Sequence, residues 1–179
     1  MFIHTIIQLR SLRAHYRKIL ENGQTIDMRG ISSTGTKFAR MCIAGSRIIG
    51  SKMSFRSEAE DRRENFNVLV NVEVDRNINR PNLPPEFVPQ TYYGAVEYYF
   101  LHEFRGVRSM LAYIQWAKAS TVQESRLGYK FFTHFDQRME FQEAYSIDRN
   151  VGFWKRENPI KYIILDREWA LKFGNDDED

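Results

Sequence analysis

The residue types that carry most enzyme chemistry are sparse in this chain. It has one cysteine and four histidines, namely Cys42, His4, His15, His102 and His134. No histidine is paired with Cys, Asp or Glu at the spacing of metal ligands on one face. The His-Glu-x-x-His and Gly-x-Ser-x-Gly patterns are also absent. We therefore expect no metal, no cofactor and no catalytic site, and we interpret Cys42 as a small core residue. A small enzyme with Cys42 or His102 in a pocket stays open as a third class.

Residue types suited to binding are better represented. Aromatic side chains with nearby Arg and Lys can stack on bases or enclose a cationic side chain. The candidate aromatic rim is Tyr93, Tyr113, Trp116 and Trp154. The competing interpretation is that most of these rings fill the core.

Basic residues are concentrated in the first third of the chain. Residues 1–63 hold 12 Lys and Arg against 5 Asp and Glu, whereas residues 64–179 hold 14 against 18, so a net of +7 and a net of −4 give the total of +3. This asymmetry is compatible with an anionic partner such as nucleic acid, and equally with one half of the chain docking on the other. The candidate phosphate contacts are Arg40, Arg47, Lys52, Arg56, Arg62 and Arg63. Ordinary solubilising charge is the alternative.

The elements that must position these residues are mostly strands. Thirteen Phe, nine Tyr and three Trp favour strands and barrels over helical bundles. Alternation of apolar residues predicts strands over residues 66–74, 92–100 and 110–116, with shorter ones between 131 and 165. The short link of residues 156–159 predicts a final hairpin. A single cysteine fits a reducing compartment, and no apolar run approaches the ~18 residues of a membrane span.

The N-terminal residues predict an amphipathic helix from about Thr5 to Leu20. Its apolar stripe includes Leu9, Leu12, Tyr16 and Ile19 at three- and four-residue spacing. The stripe either packs on its own domain or docks on a partner chain. Thr5 is the expected N-cap, and Asp166 is expected to cap a short helix over residues 167–173.

Four of the five prolines fall between Asp75 and Gln90, which predicts a stiff connection without regular structure. We therefore divide the chain at this segment. The predicted parts are a helix (1–22), a basic strand and loop segment (23–80), the Pro-rich connection (81–91), a β-barrel core (92–174) and an acidic tail (175–179).

The order of several segments resembles a known domain. Residues 92–100 carry a Tyr-Tyr-Gly-x-Val strand, residues 110–116 a strand that ends in Trp, and residues 162–165 a closing Tyr-Ile-Ile-Leu strand, with Gly128 and residues 150–153 between them. Over roughly residues 45–168 the chain resembles the small β-rich domain of unknown function in CACTA-class transposase-like proteins. It is more weakly similar to bromo-adjacent-homology (BAH) and Tudor-like chromatin barrels. The resemblance implies a mobile-element origin, a nuclear location and DNA or chromatin as the partner. The acidic catalytic residues of a transposase are not recognisable here, so the resemblance implies an accessory module or a fragment of a larger product.

Together these patterns predict a mainly-β fold (α+β) with an SH3/BAH-like barrel, an N-terminal helix and a short C-terminal helix. The predicted function is a non-enzymatic DNA- or chromatin-associated binding module that has no membrane partner. The alternative is a protein–protein interaction subunit that docks a partner through its N-terminal helix and makes no nucleic-acid contact.

Overall fold

The computed structural model describes residues 2–20, 30–43, 47–54, 64–80, 82–126 and 128–166. Within these ranges the chain is mostly β-structure with one α-helix, which confirms the expected β-rich character. The helix, α1, spans Phe2–Leu20 and so begins before Thr5, the expected N-cap. The strands are β1 (Thr36–Phe38), β2 (Arg40–Ile43), β3 (Arg47–Gly50), β4 (Asn67–Asp75), β5 (Phe87–Phe104), β6 (Val107–Ala117), β7 (Gln123–Glu124), β8 (Lys130–Phe132), β9 (Phe135–Glu143), β10 (Ile147–Asn150), β11 (Gly152–Arg156) and β12 (Lys161–Leu165).

The main sheet is an antiparallel meander in the order β10-β4-β5-β6-β9, with β1 paired to the far end of β5. Strands β4, β5 and β6 were predicted over residues 66–74, 92–100 and 110–116, because apolar residues alternate along them. The 18-residue β5 is the spine of the sheet, since it pairs with β4 over its first part and with β6 over its second.

A three-residue turn shows that this sheet is strongly curled. Strands β9 and β10 lie at opposite ends of the strand order, yet only the 3-10 turn Ala144–Ser146 connects them. The link from Glu143 to Ile147 reaches at most about 14 Å. A flat sheet would separate its two edge strands by about 19 Å. Among the described residues no strand pairing closes the sheet, so the closed barrel expected from the sequence is not found.

The concave side of the curled sheet holds the first core. Its buried residues are Ile49, Val68, Val70, Val96, Tyr99, Ala112, Ile114, Ala144 and Ile147. The hairpin of β2 and β3 covers part of this side, with Met41 and Ile43 packed against the core. Cys42 lies between them and, because side chains alternate along a strand, it points the other way. Cys42 is exposed, so its interpretation as a core residue was wrong.

Two further cores cover the convex side. The first lies under α1, where Leu12 and Tyr16 pack with Phe100, Leu111 and Phe141 of the sheet. Ser11 Oγ also donates to the backbone oxygen of Met139 at 3.2 Å, so the helix lies along the edge strand β9. Covering an edge in this way protects its free backbone groups from pairing with another chain.

The other convex core lies under a second sheet in the order β11-β12-β8-β7. Phe132 is fully buried in it, with its ring stacked on Tyr162 at 4.9 Å and edge-on to Phe153 at 5.0 Å. The register between β11 and β12 confirms the predicted C-terminal hairpin. The predicted C-terminal helix (167–173) and acidic tail (175–179) lie outside the described residues.

The proline-rich segment is the loop of one long hairpin. Asp75 and Phe87 are cross-strand partners, and Pro89 is paired with Glu73 inside the ladder. Residues 87–90, expected to lack regular structure, therefore belong to β5. Tertiary pairing overrides the proline signal here. Among the described residues, no helix has both the length and the apolar character needed to cross a membrane.

Candidate functional site

A cleft opens beside the concave side of the curled sheet. It has a volume of about 1130 Å³ and lies between the β4–β5 hairpin and the facing ends of β6 and β9. The hairpin contributes Val72, Val74 and Phe87, and the facing wall includes Trp116 and Arg138. The cleft is therefore built where the strands of the meander leave the packed core.

One part of the cleft wall is aromatic. Tyr92 and Trp116 meet edge to face with their ring centroids 6.0 Å apart, and both rings line the cleft. Phe87 lies on the same hairpin as Tyr92 and is 61% exposed. Tyr92 and Trp116 are both partly exposed, and the negative face of an aromatic ring attracts a positively charged group.

A glycine makes this aromatic wall possible. Gly94 is the cross-strand partner of Trp116, and a Cβ at Gly94 would come within 2.5 Å of Ile114 Cγ2 and 3.1 Å of Trp116 Cε3. The Trp116 ring can therefore lie against the backbone of β5 only because position 94 has no side chain.

The charged residues of the cleft wall have a small acidic excess. Three are basic and four are acidic, namely Lys18, Lys118 and Arg138 against Glu73, Asp75, Asp136 and Glu140. Lys18 and Glu140 pair with each other at 3.2 Å. One carboxylate oxygen of Asp75 accepts the backbone N–H groups of Asn77 and Glu86, both at 2.9 Å. The carboxylates of Glu73 and Asp136 have no ion-pair partner among the described residues.

The four residues of the predicted aromatic rim lie in four different places. Trp116 lies in the cleft, and Trp154 lies far along the chain on β11, 59% exposed. Tyr93 is buried against the second sheet, and Tyr113 is buried under α1. The assignment of these two tyrosines to a rim was therefore wrong, because they fill the convex cores. Tyr92 was missed, although alternation along β5 places it and Tyr93 on opposite faces.

The predicted phosphate contacts do not form one patch among the described residues. Arg40 and Arg47 are exposed at opposite ends of the β2–β3 hairpin. Lys52 Nζ lies 2.6 Å from a carboxylate oxygen of Glu97 and 3.1 Å from the side-chain oxygen of Gln115, so its charge is used within the fold. Arg56, Arg62 and Arg63 lie outside the described residues. Phosphate binding by this set stays a prediction.

The predicted partner helix packs on its own sheet. Leu12 is 1% exposed and Tyr16 is 6% exposed, and Leu9 is partly buried against the same core. The side chain of Ile19 is outside the described part of the chain. Leu12 and Tyr16 are therefore not available to a second chain while α1 stays docked.

The described ranges contain no cluster of three His, Cys, Asp or Glu residues that could hold a metal ion.

The chain matches no family model, and neither a curated protein nor a solved structure matches it. The resemblance to the CACTA-associated domain and to BAH or Tudor-like barrels therefore stays a prediction.

Proposed function

We propose that this chain is a non-enzymatic binding module of a nuclear, chromatin-associated assembly. In this proposal the cleft holds an extended polypeptide segment through a lysine or arginine side chain. The observation that carries it is the pair of aromatic rings, Tyr92 and Trp116, in an open cleft whose wall also presents the carboxylates of Glu73 and Asp136.

The charge of the cleft wall favours a polypeptide over a nucleic acid. Acidic residues outnumber basic ones there, so the wall would repel the phosphates of a polyanion. A cationic side chain instead gains from the ring faces and from the carboxylates of Glu73 and Asp136. Proteins that bind DNA carry basic arms of this chemistry, so a chromatin setting would supply such a ligand.

The strand order supports the SH3-like part of the expectation. A three-stranded meander, a fourth strand, a 3-10 turn and a last strand paired with the first is the order of SH3-like barrels, and β4, β5, β6, β9 and β10 follow it. Such folds host many binding functions, so the strand order supports a binding module without naming its ligand. The mobile-element origin rests on the sequence resemblance alone.

Calorimetric titration with a short lysine-rich peptide tests the cleft. The same peptide with trimethylated lysine and an acidic peptide of equal length complete the probe set. Trp116→Ala should weaken binding of the lysine peptide roughly 3- to 30-fold, because it removes the cation–π face. Glu73→Gln should also weaken binding, whereas Lys118→Gln should strengthen it. Tyr145→Ala removes an aromatic residue that is 84% exposed outside the cleft, and should change nothing.

A preference for the acidic peptide, or binding of the basic peptide that Trp116→Ala leaves intact, would refute the cleft proposal. The trimethylated peptide distinguishes the contribution of the aromatic rings from that of hydrogen bonding to the carboxylates. Tighter binding than the unmodified peptide shows that the rings dominate, and weaker binding shows that hydrogen bonding to the carboxylates dominates.

Direct DNA contact is a second candidate, favoured by the net charge of +7 over residues 1–63. The exposed Arg40 and Arg47 on the β2–β3 hairpin are its described members. We expect duplex-DNA affinity to fall with salt, with a log–log slope that the double variant Arg40→Gln/Arg47→Gln lowers by about 1.8. A slope unchanged by this variant would remove these two arginines from the candidate.

A further inference from the structure

We infer that the outer face of the second sheet binds single-stranded nucleic acid, with Trp154 as the stacking platform. This face is separate from the cleft, and the inference does not depend on the peptide proposal. It follows from which side chains the β11–β12 register places together on the side that faces away from the core.

The register assigns the two faces of the sheet. Phe153, Tyr162 and Ile164 join the buried core, so the residues that alternate with them project outward. On the outer face Trp154 is the cross-strand partner of Ile163, and Arg156 is the partner of Lys161. An indole and two cations therefore occupy adjacent pairs on one surface.

The exposure of this face is unusual for its residue types. Trp154 is 59% exposed and Leu165, the partner of Gly152, is 54% exposed. Ile160, in the turn that joins the two strands, is 57% exposed. A large indole is normally buried for most of its surface, so an exposed one in the middle of a strand pair marks a contact surface.

The charge on this face favours a polyanion. The outward positions of β11 and β12 carry Arg156 and Lys161 and no acidic side chain. Glu157, in the turn, lies 3.8 Å from the Nζ of Lys155, which alternation places on the opposite face. Lys161 Nζ lies 4.3 Å from the centroid of the Phe131 ring, so its charge stays close to the sheet surface. This is the opposite of the cleft, where acidic residues are in excess.

The spacing fits a nucleotide. Neighbouring residues on one face of a strand are about 7 Å apart, so Arg156 follows Trp154 at that spacing along β11. A base stacked on the indole can therefore place its phosphate near Arg156 and Lys161. Stacking on a single exposed ring requires a base that is free of a duplex, so the occupant is a single strand rather than double-stranded DNA.

The test is fluorescence anisotropy of the full chain with labelled oligothymidylate and oligouridylate, which distinguish DNA from RNA. A duplex of equal length and anionic phosphatidylserine vesicles are the competing probes. Trp154→Ala should weaken single-strand binding roughly 10-fold, and Trp154→Phe should retain most of it, because a phenyl ring still stacks. The double variant Arg156→Gln/Lys161→Gln should lower the log–log salt slope by about 1.4.

Two matched controls separate this face from general effects. Tyr145→Ala removes an exposed aromatic residue elsewhere, and Arg76→Gln/Arg80→Gln removes two charges from the β4–β5 loop. Both should leave the affinity and the slope unchanged. The inference is overturned if Trp154→Ala has no effect, if the duplex binds as well as the single strand, or if the charge control lowers the slope equally. Binding to vesicles in place of oligonucleotides would assign the face to a lipid surface and would also overturn it.

Discussion

The hydroxyl of Tyr16 on α1 lies 2.8 Å from Nδ1 of His102 on β5. His102 is 1% exposed, and its Nε2 lies 2.8 Å from the backbone oxygen of Ser32. A carbonyl oxygen only accepts, so Nε2 carries a proton, and in the neutral imidazole Nδ1 then accepts from the Tyr16 hydroxyl. The two residues therefore join the helix to the sheet through an imidazole whose two nitrogens are both hydrogen-bonded.

We expect Tyr16→Phe to lower the free energy of unfolding by about 1 to 3 kcal/mol, because it leaves Nδ1 of His102 buried without a donor. Urea denaturation measures the change. Tyr145→Phe is the matched control, since Tyr145 is 84% exposed and its loss should stay within about 0.5 kcal/mol. Equal values for the two variants would show that the Tyr16–His102 bond adds nothing.

Buried tyrosines predict a loss of stability at alkaline pH. Burial raises the pKa of Tyr98 and Tyr99 well above the ordinary value of 10.0. Burial also raises the pKa of Tyr16 and Tyr113, and the negative charge of Glu97 adds to the effect at Tyr113. Each contribution to stability is fully present below the unfolded pKa of about 10 and is lost as the pH rises toward the folded pKa.

Urea denaturation across a pH series, with tyrosinate absorbance as a second probe, measures this loss. Tyrosine titration should leave the free energy of unfolding unchanged below a pH of about 10. Above that pH the free energy of unfolding should fall by up to about 1.4 kcal/mol per pH unit for each tyrosine. Tyr99→Phe should make the fall less steep. An unchanged steepness in this variant would assign the alkaline loss to other groups.

Gly94→Ala tests the aromatic wall of the cleft. The new Cβ would approach Ile114 Cγ2 at 2.5 Å and the backbone oxygen of Gln115 at 2.9 Å, so the β5–β6 pair must shift. We expect a stability loss of about 1 to 3 kcal/mol and weaker binding of the basic peptide. Gly30→Ala is the control, since a Cβ at Gly30 meets nothing within 4 Å. If the Gly94→Ala protein is destabilised but binds the peptide with normal affinity, the aromatic wall is not part of the peptide-binding site.

Lys52→Gln tests whether the charge of Lys52 stabilises the fold or contacts phosphate. The ion pair of Lys52 with Glu97 is partly exposed, with side-chain exposures of 36% and 23%, so its loss should cost only about 0.5 to 1 kcal/mol. The salt slope of DNA binding should stay that of the unaltered chain, because the ammonium already faces a carboxylate. A slope lowered by about 1 would return Lys52 to the phosphate contacts.

The elements of this fold were largely predictable, because each depends on local periodicity. The stripe that includes Leu12 and Tyr16 predicted α1, and alternating valines predicted β4. The proline-rich segment was misjudged for a physical reason. A strand edge tolerates proline wherever no ladder hydrogen bond is needed, so Pro89 does not end β5.

The candidate site was predictable only in part. Trp116 was identified because it ends a strand, but its neighbour Tyr92 was not, since only the pairing of β5 with β4 and β6 fixes which tyrosine of the pair faces the cleft. Lys52 was assigned to the phosphate contacts, because its ion-pair partner Glu97 is distant in sequence and the pairing could not be foreseen. Charge in a sequence does not reveal which cations the fold neutralises.

The pairing of β10 with β4, which the short turn after β9 makes possible, has a consequence for how the chain folds. Pairing of Val70 with Ile147 joins residues that are far apart in sequence, whereas the β4–β5 and β5–β6 pairs form between neighbours along the chain. Local hairpins close quickly, and distant pairings pay a larger loop entropy before they gain contacts. Addition of β10 to β4 should therefore be a late step, on the millisecond-to-second timescale typical of folds dominated by non-local strand pairs.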